Sequence, residues 1–153
     1  MFRDLLVHIP TELSPRPGVD ASVSIAVSAG ARLDAVATGY VSTNIPFVAE
    51  GGAAIASSLQ FEYERALELA DAALGVFEVE AKNAHVNYDR YALSGTFAEI
   101  VSRVAAAARL YDLTIVSQGD PDHATFDNQL PPELLLQAGG PLLFIPYTFQ
   151  GAF

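Results

Sequence analysis

The chain has 153 residues, about the length of one ordinary domain. Hydrophobic residues make up 51% of it and charged residues 17%, so it can bury a substantial core and is not a disordered chain. It has no cysteine, which excludes disulfides, thiolate zinc sites and a thiol nucleophile. The 18 acidic and 8 basic residues give a formal charge of −10, the wrong sign for binding nucleic acid or an anionic membrane.

Neither a membrane span nor a secretion signal is visible in the sequence. No apolar run approaches the roughly 18 residues that a membrane-spanning helix needs. The first four residues, Met-Phe-Arg-Asp, lack the pattern of a signal peptide. We therefore expect a cytoplasmic protein that contacts no membrane.

The first half of the chain alternates between strand and helix patterns. Residues 5–9 form a short apolar run that ends at Pro10, which is typical of a strand buried on both faces. After a proline-rich loop, Pro17 begins a helical pattern. The apolar residues at helical spacing there are Val19, Val23, Ala26, Val27 and Gly30. Residues 33–41 read as a second strand.

A loose stretch around residues 44–46 and 51–52 precedes the longest helical pattern of the sequence. Charged residues fall outside its apolar stripe, as in an amphipathic helix on a sheet. The stripe comprises Ile55, Leu59, Tyr63, Ala66, Leu67, Ala70, Ala73, Leu74, Phe77 and Ala81. Residues 86–93 then place tyrosines among polar residues, which predicts an edge strand.

Thr96 and Glu99 have the spacing of a capping box and predict the start of a third helix. Its predicted buried face is Phe97, Ile100, Val101, Val104, Ala105 and Ala108. Residues 112–117 form another short buried strand. A polar loop over residues 118–128 leads through two prolines into a short predicted helix over residues 133–138, and residues 142–145 form the last strand.

The elements follow the order β-α-β-α-β-α-β-α-β. Strict alternation with short apolar strands predicts an α/β fold, in which a five-stranded parallel sheet carries helices on both faces. A ligand would lie beyond the carboxyl ends of the strands. We see no second domain in these residues.

Two segments resemble pieces of the universal stress protein family. Residues 111–117, Tyr-Asp-Leu-Thr-Ile-Val-Ser, look like that family's entry to its fourth strand, and residues 140–146, Gly-Pro-Leu-Leu-Phe-Ile-Pro, look like its closing strand. The resemblance covers essentially the whole chain. It implies a role in the stress response and the sheet order 3-2-1-4-5 of the Rossmann-like, adenine nucleotide alpha hydrolase-like class. The chain resembles the N-terminal half of a tandem member, with a domain over residues 1–147 and a tail or linker over residues 148–153.

The chain departs from the glycine motif that ATP-binding members of that family carry after strand 4. In one register the second and third glycines of the motif fall on Asp120 and Leu130, and in the other on Asp122 and Pro132. An aspartate would repel the phosphates, whereas glycine lets backbone amides approach them. We therefore expect no cofactor; ATP or AMP remains possible although the motif is absent.

If the chain binds a small molecule, the crevice would lie where the chain order reverses, at the ends of the first and fourth strands. Glu12 stands near the position where family members place an acidic residue that holds the nucleoside, but its offset differs. The predicted crevice residues are Pro10, Thr11, Glu12, Tyr40, Val41, Ser117, Gln118, Gly119 and Asp120.

An enzymatic alternative rests on the histidines. His8 in the first strand could approach His123 and the aspartates of the loop after the fourth strand, Asp120 and Asp122. Two carboxylates and an imidazole suit a divalent metal or acid–base work. A histidine in a buried strand is more often a core residue, so we assign no catalytic residue and no metal site.

The last strand would be an exposed, apolar sheet edge without a charged residue, which invites pairing with another chain. The resemblance implies a homodimer through this strand, Leu142, Leu143, Phe144 and Ile145, whereas a tail folded over the edge is the alternative. The sequence thus predicts a non-enzymatic stress-protein-like domain with a degenerate nucleotide site. A module that binds a basic protein partner through its acidic surface is the other possibility.

Overall fold

The computed structural model describes residues 1–43 and 52–153. Within them, five parallel strands form one sheet in the order β3-β2-β1-β4-β5, as predicted. The elements in chain order are β1 (Asp4–Ile9), α1 (Arg16–Ala29), β2 (Arg32–Tyr40), α2 (Gly52–Asn83), β3 (Arg90–Gly95), α3 (Phe97–Ala108), β4 (Leu113–Ser117), α4 (Phe126–Gln137) and β5 (Leu142–Ile145). Part of the predicted loose stretch, residues 44–51, lies outside the described residues.

The sheet has a hydrophobic core on each face. Helices α1 and α2 pack on one face, where Leu5, Leu33 and Phe77 are fully buried. Helices α3 and α4 pack on the other, against Leu6 and Val116. Strand β1 is central, and its residues after Asp4 are buried because helices cover both faces of the sheet. This two-sided arrangement confirms the predicted α/β class.

Helix α4 begins earlier than the sequence predicts. The predicted loop over residues 118–128 and helix over residues 133–138 both exist, but their bounds are wrong, because the helix begins at Phe126 and continues through Pro131 and Pro132 to Gln137. The hydroxyl of Thr125 accepts a hydrogen bond from the Asn128 amide at 3.2 Å and thereby caps the helix. As a result, Asp127 lies in a buried first turn and not in a solvated loop.

Strand β3 is displaced relative to its predicted range of residues 86–93. It begins at Arg90, which is in register with Ala35, and it continues to Gly95 beside Tyr40. The residues before it still accept backbone hydrogen bonds from β2, because Leu33 donates to the carbonyl of Asn87. The prediction of an edge strand is confirmed.

Only the second part of α2 packs on the sheet. The predicted apolar stripe begins at Ile55, but no residue from Gly52 to Arg65 is buried, and burial begins at Ala66. At that point the helix backbone touches β2: a Cβ on Gly39 would lie 1.9 Å from the carbonyl oxygen of Ala66. The absence of a side chain at Gly39 therefore sets how closely α2 approaches the sheet.

Across residues 1–43 and 52–153, no helix combines the length and the apolar character that crossing a bilayer requires.

Candidate functional site

A cavity of about 250 Å³ lies at the carboxyl ends of β1 and β4, where the chain order reverses. Four of the nine predicted crevice residues line it: Glu12, Ser117, Gln118 and Asp120. The other lining residues are Leu13, Ser14, Pro17, His123 and Tyr147. A larger cleft of about 590 Å³ lies elsewhere, between residues of α2, β3 and α3.

The remaining predicted residues do not line the cavity. Pro10 is buried at the end of β1, and the Val41 amide donates to the carbonyl of Gly95. Gly119 packs against Asn128, since a Cβ there would lie 2.9 Å from the Oδ1 of that residue. Thr11 and Tyr40 instead join a hydrogen-bonded group centred on α4.

Glu12 and Asp127 cap each other's backbone. One carboxylate oxygen of Asp127 accepts hydrogen bonds from the amides of Thr11 and Glu12, at 2.9 and 2.7 Å. In return, Glu12 Oε2 accepts from the amides of Phe126 and Asp127, at 2.7 and 3.2 Å. The amides at a helix N-terminus attract anions, and here a carboxylate of the chain itself occupies that position. The loop after β1 is thereby fastened to the first turn of α4.

A line of buried polar side chains leads from β1 to Asp127. His8 Nε2 lies 2.8 Å from Thr38 Oγ1, and this hydroxyl donates to the Tyr40 hydroxyl at 3.1 Å. Tyr40 in turn donates to Asp127 Oδ1 at 3.0 Å. The donors point consistently toward the carboxylate if His8 carries its proton on Nε2. Every member of the line therefore has a partner, as buried polar groups require.

Burial shifts the pKa values of this group in the directions that disfavour charge. Burial lowers the pKa of His8 to about 3, so the imidazole is neutral at physiological pH. It raises the pKa of Asp127 and, helped by repulsion from Asp127, that of Glu12. The pKa of Tyr40 is also raised, by burial and by the neighbouring carboxylate. The amide hydrogen bonds oppose the shifts of the two carboxyl groups but do not cancel them.

The side chain of Asn128 ties the loop between β4 and α4 together. Its Oδ1 accepts from the Asp120 amide at 2.8 Å, and its Nδ2 donates to the carbonyls of Asp120 and His123. The amide of Asp122 donates to the Asp120 carboxylate at 3.0 Å. These amides therefore already have acceptors within the chain. A phosphate would have to displace them.

Three aromatic rings cover the neighbouring end of β2. Phe126 lies 5.1 Å from Tyr40 and 5.5 Å from Phe97, measured between ring centroids, and its ring stacks on that of Phe97. Such pairs contribute packing energy beyond the area they bury. These aromatic side chains therefore occupy the space next to the end of β2.

The two histidines of the enzymatic hypothesis are not brought together. His8 is 2% exposed and contacts Thr38, whereas His123 lies at the surface with Nδ1 2.8 Å from Asp120 Oδ2. Only the pairing of His123 with Asp120 agrees with that hypothesis. In the described part of the chain, no group of three or more histidine, aspartate or glutamate side chains could hold a metal ion.

The Ser117 hydroxyl turns toward α1. It is buried without a hydrogen-bond partner among the described residues, and a Cβ on Gly18 would lie 2.7 Å from it. The predicted crevice thus contains one polar side chain whose hydroxyl lies against the α1 backbone.

Sequence reasoning missed the central residues of this site. The sequence pattern places Asp127 in a loop, and it marks neither Thr38 nor Asn128 as a site residue. The Thr-x-x-Asn spacing before α4 could have indicated a helix cap at Thr125. No sequence signal connects Glu12 with Asp127, because 115 positions separate them.

No protein-family model matches the sequence, and the comparison with curated proteins finds no match. Solved structures of universal stress proteins do match the fold. A family protein from Burkholderia pseudomallei is 19% identical, with 95% of this chain and 96% of that chain covered and a TM-score of 0.57. The universal stress protein UspA from Lactobacillus plantarum is 17% identical, with coverages of 94% and 97% and a TM-score of 0.60.

A third structure, a universal stress protein in complex with cAMP, is 15% identical, with coverages of 96% and 98% and a TM-score of 0.60. At these identities the similarity concerns the fold. The resemblance noted in the sequence is therefore confirmed at that level: the chain has the fold of the universal stress proteins.

Proposed function

We propose that this chain is a non-enzymatic, stress-response domain of the universal stress protein type, acting in the cytosol, whose nucleotide site has degenerated. The observation that carries the proposal is the Glu12 carboxylate at the N-terminus of α4. It accepts hydrogen bonds from the first-turn amides of Phe126 and Asp127, where an anionic ligand would otherwise bind.

The surroundings support the same conclusion. The cavity, at about 250 Å³, is smaller than the roughly 300–1,000 Å³ of typical small-molecule sites. Glu12 and Asp120 line it, and among the described residues no lysine or arginine does. A triphosphate would meet carboxylates without a compensating cation, which costs free energy in a partly buried site.

Calorimetric titration with ATP, ADP and AMP in the presence of magnesium tests the proposal. We expect no measurable binding of any of the three nucleotides. The universal stress protein that was crystallised with cAMP, titrated with cAMP in the same buffer, is the positive control. Tight binding of ATP by this chain would refute the degenerate site, and a bound nucleotide contacting residues 117–132 in a crystal structure would locate the error.

A nucleotide-binding stress protein is the second candidate, because a structure of the same fold holds cAMP. It would require Glu12 to leave α4 and the amides of Asp120 and Asp122 to exchange their internal acceptors for phosphate oxygens. The same titration decides between the two candidates.

We further propose that the domain assembles through β5, either as a homodimer or in a tandem arrangement. β5 is an edge of the sheet, and Leu142, Leu143 and Phe144 are only half-buried. The tail beyond it contacts α1: Ser24 accepts from the Phe153 amide at 3.0 Å and donates to its carbonyl at 2.9 Å. An apolar edge strand without a charge favours pairing with a second chain.

A further inference from the structure

The outer edge of β3 presents backbone groups that no other strand of the sheet uses. β3 ends the sheet on one side and pairs with β2 alone. The carbonyls of Asp89 and Gly95 accept hydrogen bonds from amides on the β2 side. Because the backbone groups of successive residues in a strand point to opposite sides, those of Arg90, Ala92 and Ser94 face away from the sheet. Such a row of donors and acceptors is a template for an added strand.

Two clefts flank this edge, one on each face of the sheet. The cleft of about 590 Å³ on the α3 side contains Ser94 and Arg103, whose guanidinium donates to the Ser94 carbonyl at 3.5 Å. On the other side, where Ala92 packs with the core under α2, lies a cleft of about 530 Å³. Its lining residues are Glu64, Leu67, Glu68, Asp71 and Ala92. The side chains of a strand placed beside β3 would enter the two clefts in turn, because they alternate between the faces.

The cleft on the α2 side is acidic. Three of its five lining residues carry carboxylates, and among the described residues no lysine or arginine lines it. Asp71 is paired with Arg90 at 2.9 Å, whereas the Glu68 carboxylate makes no hydrogen bond or ion pair with any other described residue. Leu67 adds an exposed apolar surface beside it. A lysine or arginine suits this combination, because its aliphatic stem can cover Leu67 while its charge reaches Glu68.

We propose that β3 is the docking edge for an extended segment of a basic protein partner, which adds a sixth strand to the sheet. The backbone of the segment pairs with the outward groups of Ala92, and the lysine or arginine beside that residue enters the acidic cleft. A second copy of this chain is a poor occupant, since each copy has a formal charge of −10 and would meet the same acidic cleft. The proposal is independent of the nucleotide site, which lies at the carboxyl ends of β1 and β4.

Titration with synthetic peptides of about eight residues tests the docking edge. The probe alternates lysine and valine, so that all its lysines lie on one face when it is extended. One control peptide alternates glutamine and valine, and the other has the lysines and the valines in two separate runs. By fluorescence anisotropy, we expect the probe to bind about fivefold or more tightly than either control. In NMR hydrogen exchange, the amide of Ala92 should gain protection when the probe binds.

Substitutions on α2 and β3 test the two parts of the contact separately. Glu68→Gln removes a carboxylate from the cleft, whereas Glu62→Gln removes the same charge from an exposed position of the same helix that does not line the cleft. We expect Glu68→Gln to weaken binding of the probe about threefold and Glu62→Gln to leave it nearly unchanged. Ala92→Pro removes the outward N–H, which proline can do at an edge without loss of pairing to β2, and should weaken binding about fivefold or more.

Three results would overturn the proposal. The first is absence of binding by the probe. The second is equal binding of the alternating and the two-run lysine peptides, or equal weakening by Glu62→Gln and Glu68→Gln, because attraction to the overall charge would then explain the binding. The third is protection of the Ala92 amide in the free protein that rises with protein concentration, which would identify a second copy of the chain as the occupant of this edge.

Discussion

His8 shows how a single buried group couples the fold to pH. The imidazole is 2% exposed and makes its hydrogen bond to Thr38, so the charged form would lose its hydration without gaining a carboxylate partner. Burial consequently lowers its pKa to about 3 in the folded chain, whereas the unfolded chain restores the ordinary value of about 6.5. Below that ordinary value the unfolded state binds the extra proton, and stability falls with falling pH until the folded pKa is reached.

Replacing this histidine should flatten the acid dependence of stability. His8→Gln keeps an N–H donor for Thr38 but cannot take up a proton. Between about pH 7 and pH 5, we expect the wild type to lose about 2 kcal/mol more free energy of unfolding than the variant. Urea denaturation at the two pH values measures the difference. Equal losses in both proteins would mean that His8 is accessible to protons in the folded state.

At the scale of elements, the contact between α2 and β2 depends on one missing methyl group. A Cβ on Gly39 would overlap the backbone of Ala66, and backbone cannot move aside as a flexible side chain can. We expect Gly39→Ala to lower the free energy of unfolding by about 2 kcal/mol or more. Thermal or urea denaturation gives the value.

Gly75 in the middle of α2 provides the matched control. A Cβ there meets no atom within 4 Å, and alanine is the better helix former. Gly75→Ala should therefore raise stability by up to about 1 kcal/mol. The same glycine-to-alanine substitution would then lower the free energy of unfolding at Gly39 and raise it at Gly75. Destabilisation of similar size at both positions would contradict the backbone contact.

The strands and three of the helices could be predicted from the sequence, because their apolar periods report directly on burial. The start of α4 could not. Pro131 and Pro132 suggest a break, yet the helix is held at its start by Thr125 and by Glu12, a residue distant in the sequence. For the first turns of α2 the sequence predicts too much burial. The apolar stripe begins at Ile55, but this part of the helix extends past the sheet and is not buried.

The candidate site was only partly predictable for the same reason. Topology placed Glu12, Ser117, Gln118 and Asp120 at the crevice, because strand ends that are adjacent in a parallel sheet can be located from strand order. The role of Asp127 depends on amides that tertiary structure brings to it. Local sequence contains no information on such a contact.

For the whole molecule, the formal charge of −10 makes two copies repel each other, so an uncharged surface is the favourable place for them to associate. The two sheet edges differ in this respect. β3 carries Arg90 and lies beside Asp71 of α2, whereas β5 is uncharged. Two copies that pair along β5 therefore bring no charged strand residues against each other.

Charge placed on either edge distinguishes the two surfaces. Phe144→Lys puts a cation on β5 at a half-buried aromatic position, and Tyr91→Lys does the same on β3, where the tyrosine is 47% exposed. We expect a dimeric wild type, a monomeric Phe144→Lys variant and a dimeric Tyr91→Lys variant in sedimentation velocity. A monomeric wild type, or dissociation by the β3 substitution alone, would contradict assembly through β5.

The mutual capping of Glu12 and Asp127 also bears on how this sequence can diverge. Loss of either carboxylate leaves two amides of the opposite segment without an acceptor and weakens the same contact between the loop after β1 and α4. Sequence changes at the two positions should consequently not be independent, and their effects on stability should not add when both are changed.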